Sequence, residues 1–454
     1  MMHTHNNFIS MRSLGLLAAL VAPMTVAAAC GGGDDREEGD DTSLAPNGDG
    51  DGDGDSDGGA IKLDALNETG NGNGGNSGND LDDGVPYIWI ANSAIGQVSK
   101  INTVTMVEEG RYWTSADGNG DPSRTSVSLS GNVAVANRSG GLIKIVGDAE
   151  NCPNSNGTST GADDVIQYPD DCVAWYLETD FESQRAVAWT SGEADVESQV
   201  GVNEKIWLAG EYKDKNTVTV MLIDGDSGGI QDQTDLNLGI TDEDSPGAKF
   251  PYRAYGGAVD RDSNFWFATF GNDGKIVRVG RDGLGVDMWP KPHFSYGFTV
   301  DGEGRPWSCG VVLARFDPDS GTWTSKGPAE VGLSSITAFD FGGCMVDNEE
   351  KRMWAPVKMD LADTRFGLAS FDRETLEGIS VVELPKHVHG VSIDKAHQVW
   401  GVTGVWGGDA DGTEVYRINP ETLEFDTYSG LSGAYTYSDM TGFALTQTWI
   451  PPVG

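Results

Sequence analysis

Three arginines, Arg124, Arg185 and Arg253, stand in a chain with 70 acidic side chains against 30 basic ones. Each falls just before a run of alternating apolar residues, and so do Tyr296, Asp340, His389 and Asp439. A guanidinium fork matches the oxygens of a carboxylate or phosphate. Gathered at one place, these seven residues would form an anion site. The competing reading is structural: the arginines pair with Asp340, Asp439 and loop acids and hold the fold together.

His387, His389 and His397 are close in sequence, and imidazoles so spaced could hold a metal ion. That requires His387 and His389 to share one strand face with no bulge between them, and His397 falls in a predicted turn. The run Asp49-Gly50-Asp51-Gly52-Asp53-Gly54-Asp55 invites a calcium reading, but Ala60 stands where an EF-hand loop needs glutamate. The sequence contains no nucleophile elbow, phosphate loop, zinc motif or dinucleotide fingerprint.

The elements that must position these residues repeat along the chain. Gly257–Asp260 leads to Trp266, Gly297–Asp301 to Trp307, Gly343–Asp347 to Trp354 and Gly390–Asp394 to Trp400. The tryptophans lie 41, 47 and 46 residues apart. Period-two alternation around a polar Asp turn is a β-hairpin signal. Further alternation follows each tryptophan and ends in an Asx turn, as at Asp317-Pro318-Asp319-Ser320 and Asn419-Pro420-Glu421-Thr422. Each unit is four short strands, the content of one propeller blade.

The expected fold is therefore all-β, a seven-bladed β-propeller with blades at 87–113, 123–177, 185–238, 253–289, 295–325, 337–384 and 389–428. The first blade lacks an inner strand. Gly442–Thr446 is expected to supply it, closing the ring and leaving no free sheet edge. In this register the seven candidate residues line one mouth of the central channel. The repeat tryptophans read as core between blades, and the repeat aspartates as turn formers.

A formal charge of -40 argues against nucleic acid as a partner and against docking on an anionic membrane through protein charge. It favours a soluble monomer. From Met11 an arginine, an apolar run and small residues lead to Cys30, which reads as a signal peptide over 1–29. Ala27-Ala28-Ala29-Cys30 resembles the bacterial lipobox, which implies a lipid on Cys30 and the membrane as a partner through that anchor. Residues 31–85 carry 16 acids and 2 bases, with too few apolar side chains to offset ordering entropy. Residues 30–85 are thus expected to be a lipidated, disordered spacer and 86–454 the propeller. Gly31 lacks the aspartate that retains some lipoproteins at the inner membrane, so an outer-membrane or cell-surface location is expected. The remaining cysteines are expected to pair as Cys152–Cys172 and Cys309–Cys344.

The blade pattern, with Lys275-Ile276-Val277-Arg278 and Ala314-Arg315-Phe316-Asp317 as third strands, resembles the streptogramin (virginiamycin B) lyase family and its NHL-type relatives over roughly 86–454. That resemblance implies a magnesium-dependent lyase site at the channel mouth, with histidines entering inner strands and a glutamate after the tryptophan of the same blade. His389-Gly390-Val391 matches the histidine motif, but Thr403 occupies the glutamate position. His293 follows Pro292 but is displaced from its strand by Phe294-Ser295-Tyr296. His389 and His293 are the catalytic candidates that the resemblance supplies, with magnesium or calcium as cofactor; the residues themselves imply none. The expected function is an envelope-displayed binding or scaffolding propeller for a small molecule or envelope protein, its ligand anionic at the mouth. The alternative is a metal-dependent lyase or hydrolase there.

Overall fold

An aspartate six residues before a tryptophan closes a hairpin and pins the indole at once. Asp260 Oδ1 accepts the backbone N–H groups of Asp262 and Asn264, each at 3.0 Å, while its Oδ2 accepts Trp266 Nε1 at 2.7 Å. Asp301 with Trp307 and Asp394 with Trp400 repeat the bond at 3.0 and 2.8 Å. The indole can thus be buried with its one polar group satisfied. The tryptophans at 89, 207, 266, 307, 354 and 400 are all shut away from solvent.

The computed structural model describes residues 86–448, apart from 154–156, 195–200, 213–214, 241–251, 272–273 and 405–410. The expected signal segment, Cys30 and the acidic spacer lie outside the described residues. Within them the hairpins assemble into seven antiparallel blade sheets, and an eighth sheet of two short strands, Glu193–Ala194 and Gly201–Val202, is inserted between the first and second strands of blade 3. Blade 1 has Tyr87–Asn92, Gln97–Asn102 and Glu108–Trp113. Blade 2 has Pro122–Val127, Val133–Asn137, Leu142–Ile145 and Val173–Leu177. Blade 3 has Ser183–Trp189, Lys205–Glu211, Val218–Asp224 and Ile230–Leu236. Blade 4 has Gly256–Val259, Phe265–Ala268, Gly274–Val279 and Val286–Lys291. Blade 5 has Ser295–Val300, Pro306–Gly310, Leu313–Asp317 and Thr322–Lys326. Blade 6 splits its inner strand into Ala338–Phe339 and Met345–Asp347, followed by Arg352–Lys358, Phe366–Asp372 and Gly378–Leu384. Blade 7 has Val388–Ile393, Val399–Thr403, Val415–Ile418 and Phe425–Tyr428. The fold is a seven-bladed β-propeller, with boundaries close to those expected.

The C-terminal segment corrects one expectation. Gly442–Thr446 is not a strand; Phe443–Thr448 is a short helix. Asp439 decides this by accepting the N–H groups of Gly442 at 2.9 Å and Leu445 at 3.2 Å, a capping arrangement that an extended chain cannot make. Gly442 takes φ 80° at the turn into the helix, a conformation glycine adopts without strain. The place beside blade 1 is filled instead by residues 433–440. Tyr435 N donates to Ala91 O at 3.1 Å, Ala94 N to Gly433 O at 3.2 Å and Trp89 N to Met440 O at 2.9 Å. Five residues separate Tyr435 from Met440 where two separate Ala91 from Trp89, so this segment bows away from the ladder. Phe443 and Leu445 are buried as expected, but from a helix lodged among the inner strands.

Both cysteine pairs are bonded as expected. Cys152–Cys172 closes the loop between the third and fourth strands of blade 2, and Cys309–Cys344 staples blade 5 to blade 6.

Blade 6 breaks the aspartate rule. Its tryptophan comes seven residues after Asp347 rather than six, and Asp347 Oδ2 takes His397 Nδ1 of blade 7 at 2.6 Å. That hydrogen bond raises the imidazole pKa above its usual value, against the opposing effect of burial. A group so raised adds stability that is complete below its unfolded pKa and is lost as pH rises through its folded pKa. His397→Asn, which tolerates the left-handed backbone there (φ 57°), is therefore expected to lower stability near pH 6 and to match the parent near pH 9. A denaturant-melting difference that stays flat across that range would refute the linkage.

Candidate functional site at the channel mouth

A β-bulge near the start of an inner strand recurs in four blades. Ladder pairing skips one residue at Ser123 in blade 2, at Arg185 in blade 3, at Tyr296 in blade 5 and at His389 in blade 7. A bulge leaves one residue outside the ladder and re-aims its side chain. Here it turns Arg185, Tyr296 and His389 toward the axis, where Arg124 joins them from the position after its own bulge. Of the seven residues picked out in the sequence, these four come together.

They meet tyrosines that sequence reasoning missed. Tyr435 and Tyr437 enter from the bowed C-terminal segment, and Tyr255 precedes the inner strand of blade 4. Tyr255, Tyr435 and Tyr437 form one buried cluster, with Tyr252, Phe270 and Tyr296 packed against it. The Arg124 guanidinium lies 3.4 Å from the Tyr437 ring centroid and 5.2 Å from that of Tyr255. The Arg185 guanidinium lies 4.8 Å from Tyr252 and 5.2 Å from Tyr255. His389 packs on Tyr435 with ring centroids 4.3 Å apart. Tyr435 OH hydrogen-bonds Tyr255 OH at 3.0 Å and also Tyr296 OH. The alternation Tyr435-Thr436-Tyr437 was the available signal, one shared by any surface strand.

The electrostatics of this cage are unbalanced. Arg124 is 1% exposed, and its one hydrogen bond runs from Nη1 to Ser123 O at 2.8 Å. Its Nε and Nη2, together with Nε and Nη1 of Arg185, both ring nitrogens of His389 and the Tyr437 hydroxyl, are enclosed without a hydrogen-bond partner. Among the described residues neither Arg124 nor Arg185 has a carboxylate within ion-pair distance. Buried polar groups ordinarily find partners, and a buried charge without one is costly. Burial alone would raise the Tyr255 phenol, but Arg185 and Arg124 outweigh it and bring its pKa below the usual value. Burial pushes His389 well below the usual imidazole range, and Arg124 adds to the shift, so its ring is neutral.

The other candidates lie elsewhere. Arg253 precedes its inner strand by three residues, and its Nη1 bonds Glu211 Oε2 at 3.0 Å with both side chains buried. That is the structural pairing the sequence allowed. Asp340 receives His387 Nε2 at 2.9 Å, and Asp439 caps the C-terminal helix, where burial pushes its carboxyl up to about 6. His293 stands against Trp323, outside the cage. The bulge at His389 separates His387 from His389 and His397 is held by Asp347, so the histidine trio is not assembled; no metal-binding cluster of His, Cys, Asp or Glu occurs among the described residues. Deeper along the inner strands, Asp439, Ala444 and Leu445 help to enclose a cavity of about 30 Å3, room for roughly two waters.

No model of a known protein family matches the chain, and no curated protein does. Solved structures do. A functionally unknown protein from Desulfotomaculum acetoxidans is similar at TM-score 0.50 and 10% identity, over 78% of this chain and 100% of its own. A candidate 6-phosphogluconolactonase from Bacteroides uniformis is similar at TM-score 0.50 and 13% identity, over 79% and 98%. At such identities the likeness shows the fold alone.

Proposed function

We propose that this chain is an exported bacterial lipoprotein, anchored through Cys30, whose propeller is a binding module for an anionic ligand at the channel mouth. The observation that supports this most is the pair Arg124 and Arg185, whose enclosed guanidinium nitrogens meet no carboxylate among the described residues of a strongly acidic protein. A structural role would have paired them, as Glu211 pairs Arg253. The location reading rests on the Cys30 context and the composition of residues 31–85. Within this reading the resemblance to streptogramin lyases extends to architecture only. Thr403, in the glutamate position, exchanges hydrogen bonds with the Glu414 backbone, so that family's activity is not carried over.

The test uses a Cys30→Ser form, expected to leave the membrane fraction and stay folded. Inorganic phosphate and small carboxylates are expected to raise its melting temperature in a saturable way, since a ligand at a hundred times its Kd adds about 2.7 kcal/mol. The same anions at the same concentrations are expected to stabilise Arg124→Met much less. Equal stabilisation of both proteins would overturn the site, and a Cys30→Ser form that stays membrane-bound would overturn the anchor.

A further inference from the structure

We infer that the ligand of this site is a small dianion bridging Arg124 and Arg185, a dicarboxylate or a phosphoryl group; the inference rests on the anion reading above. Charge balance comes first. Arg138, which stacks 4.2 Å from the Tyr435 ring, is already paired with Asp121 at 2.5 Å. Arg253 is neutralised by Glu211, and His389 is uncharged. Two positive charges remain, and a ligand of charge minus two cancels them without leaving a second buried ion unpaired.

Geometry comes second. The atoms left open on Arg124, Nε and Nη2, form the side-on edge of the guanidinium, the edge that takes two carboxylate oxygens in parallel. Among the described residues that edge is used twice in such a way. Arg111 offers Nε and Nη2 to Glu108 at 2.7 and 3.0 Å, and Arg365 offers them to Glu383 at 2.8 and 2.7 Å. At Arg124 the same edge is enclosed and empty-handed, with the Tyr437 ring lying over the guanidinium face. Arg185 presents Nε and Nη1, likewise without partners. Both guanidiniums lie 5.2 Å from the one Tyr255 ring, so their separation is at most about 10 Å, within the span of one small ligand and its hydrogen bonds.

Size comes third. The rings of Tyr435 and His389 pack 4.3 Å apart, and Tyr296 and Tyr435 share a hydroxyl contact. Packing this close leaves no room for a bulky ligand. The Tyr437 hydroxyl and the neutral His389 ring supply further hydrogen-bonding groups, which a phosphoryl or carboxyl oxygen can satisfy.

The test is titration calorimetry of the Cys30→Ser protein at fixed ionic strength and about pH 8, with inorganic phosphate, succinate, acetate and chloride. Phosphate or succinate is expected to bind at least about tenfold more tightly than acetate. Whichever of the two leads assigns the phosphoryl or the dicarboxylate source. Arg124→Met and Arg185→Met, made separately, are each expected to bring dianion affinity down to that of acetate while circular dichroism stays unchanged. A second readout is the alkaline titration of tyrosine absorbance. Tyr255 faces Arg124, Arg185, Tyr252, Tyr296, Tyr435 and Tyr437, and a dianion that cancels the two guanidiniums moves its titration to higher pH, a shift absent in Tyr255→Phe. Acetate binding as tightly as the dianions would overturn the bridge and leave the anion reading standing. Binding by none of the four would overturn both.

Discussion

Deleting residues from Asp439 onward is expected to abolish the cooperative unfolding transition. The deletion removes Met440, Phe443 and Leu445, each at most 3% exposed. Their burial is worth about 5–9 kcal/mol together, against a whole-protein stability of about 5–15 kcal/mol. It also removes the acceptor of Trp89 N and reopens the inner edge of blade 1, an invitation to aggregate. Deleting residues 31–84, whose composition reads as a spacer, is expected to leave the melting temperature almost unchanged. A C-terminal truncation that melts like the parent would refute closure of the ring by this segment.

The second large effect is expected at Glu211. Its carboxylate accepts both the backbone N–H of Arg253, at 3.1 Å, and the guanidinium Nη1, at 3.0 Å. Burial pushes its pKa up to about 7 in spite of Arg253. Glu211→Ala takes a buried carboxylate from Arg253, which keeps Ile240 O and Asn216 Oδ1 as acceptors, and is expected to lower stability by about 3–5 kcal/mol, read by denaturant melting. The double variant Glu211→Met with Arg253→Met is expected to lose less, because both members of the buried ion pair are replaced by apolar side chains. Equal losses in the two variants would show that packing, not charge, holds this junction between blades 3 and 4.

The ring of seven blades was legible because the Asp-to-Trp spacing recurs, and in blades 4, 5 and 7 it serves one purpose: the carboxylate closes the turn and satisfies the indole. The cysteine pairs were legible because one flanks a single loop and the other joins neighbouring repeats. Phe443 and Leu445 misled because an i, i+2 pair of apolar residues looks like a strand. Their helix is set by Asp439 and Gly442, and its burial on several sides hides the helical period. The mouth was half legible. Arg124, Arg185, Tyr296 and His389 follow from the repeat register, but bulges shift that register by one residue, and blade 4 offers Tyr255 rather than Arg253. Tyr435 and Tyr437 come from outside any repeat, so no periodicity could place them.

The seam between Tyr87–Asn92 and residues 433–440 also has a consequence in time. Ser93 and Tyr435, which share a hydrogen bond, are 342 residues apart in sequence. A polypeptide emerging N-terminus first carries blade 1 incomplete through nearly the whole of its synthesis. Closing so long a loop costs entropy that is recovered only when the seam forms, and pairing between distant residues is slow. Folding of the ring is therefore a late event, triggered by the arrival of one short stretch. A chain interrupted at any earlier point keeps an unprotected strand on display, which marks it for proteolysis; the seam thus works as a check that synthesis reached it.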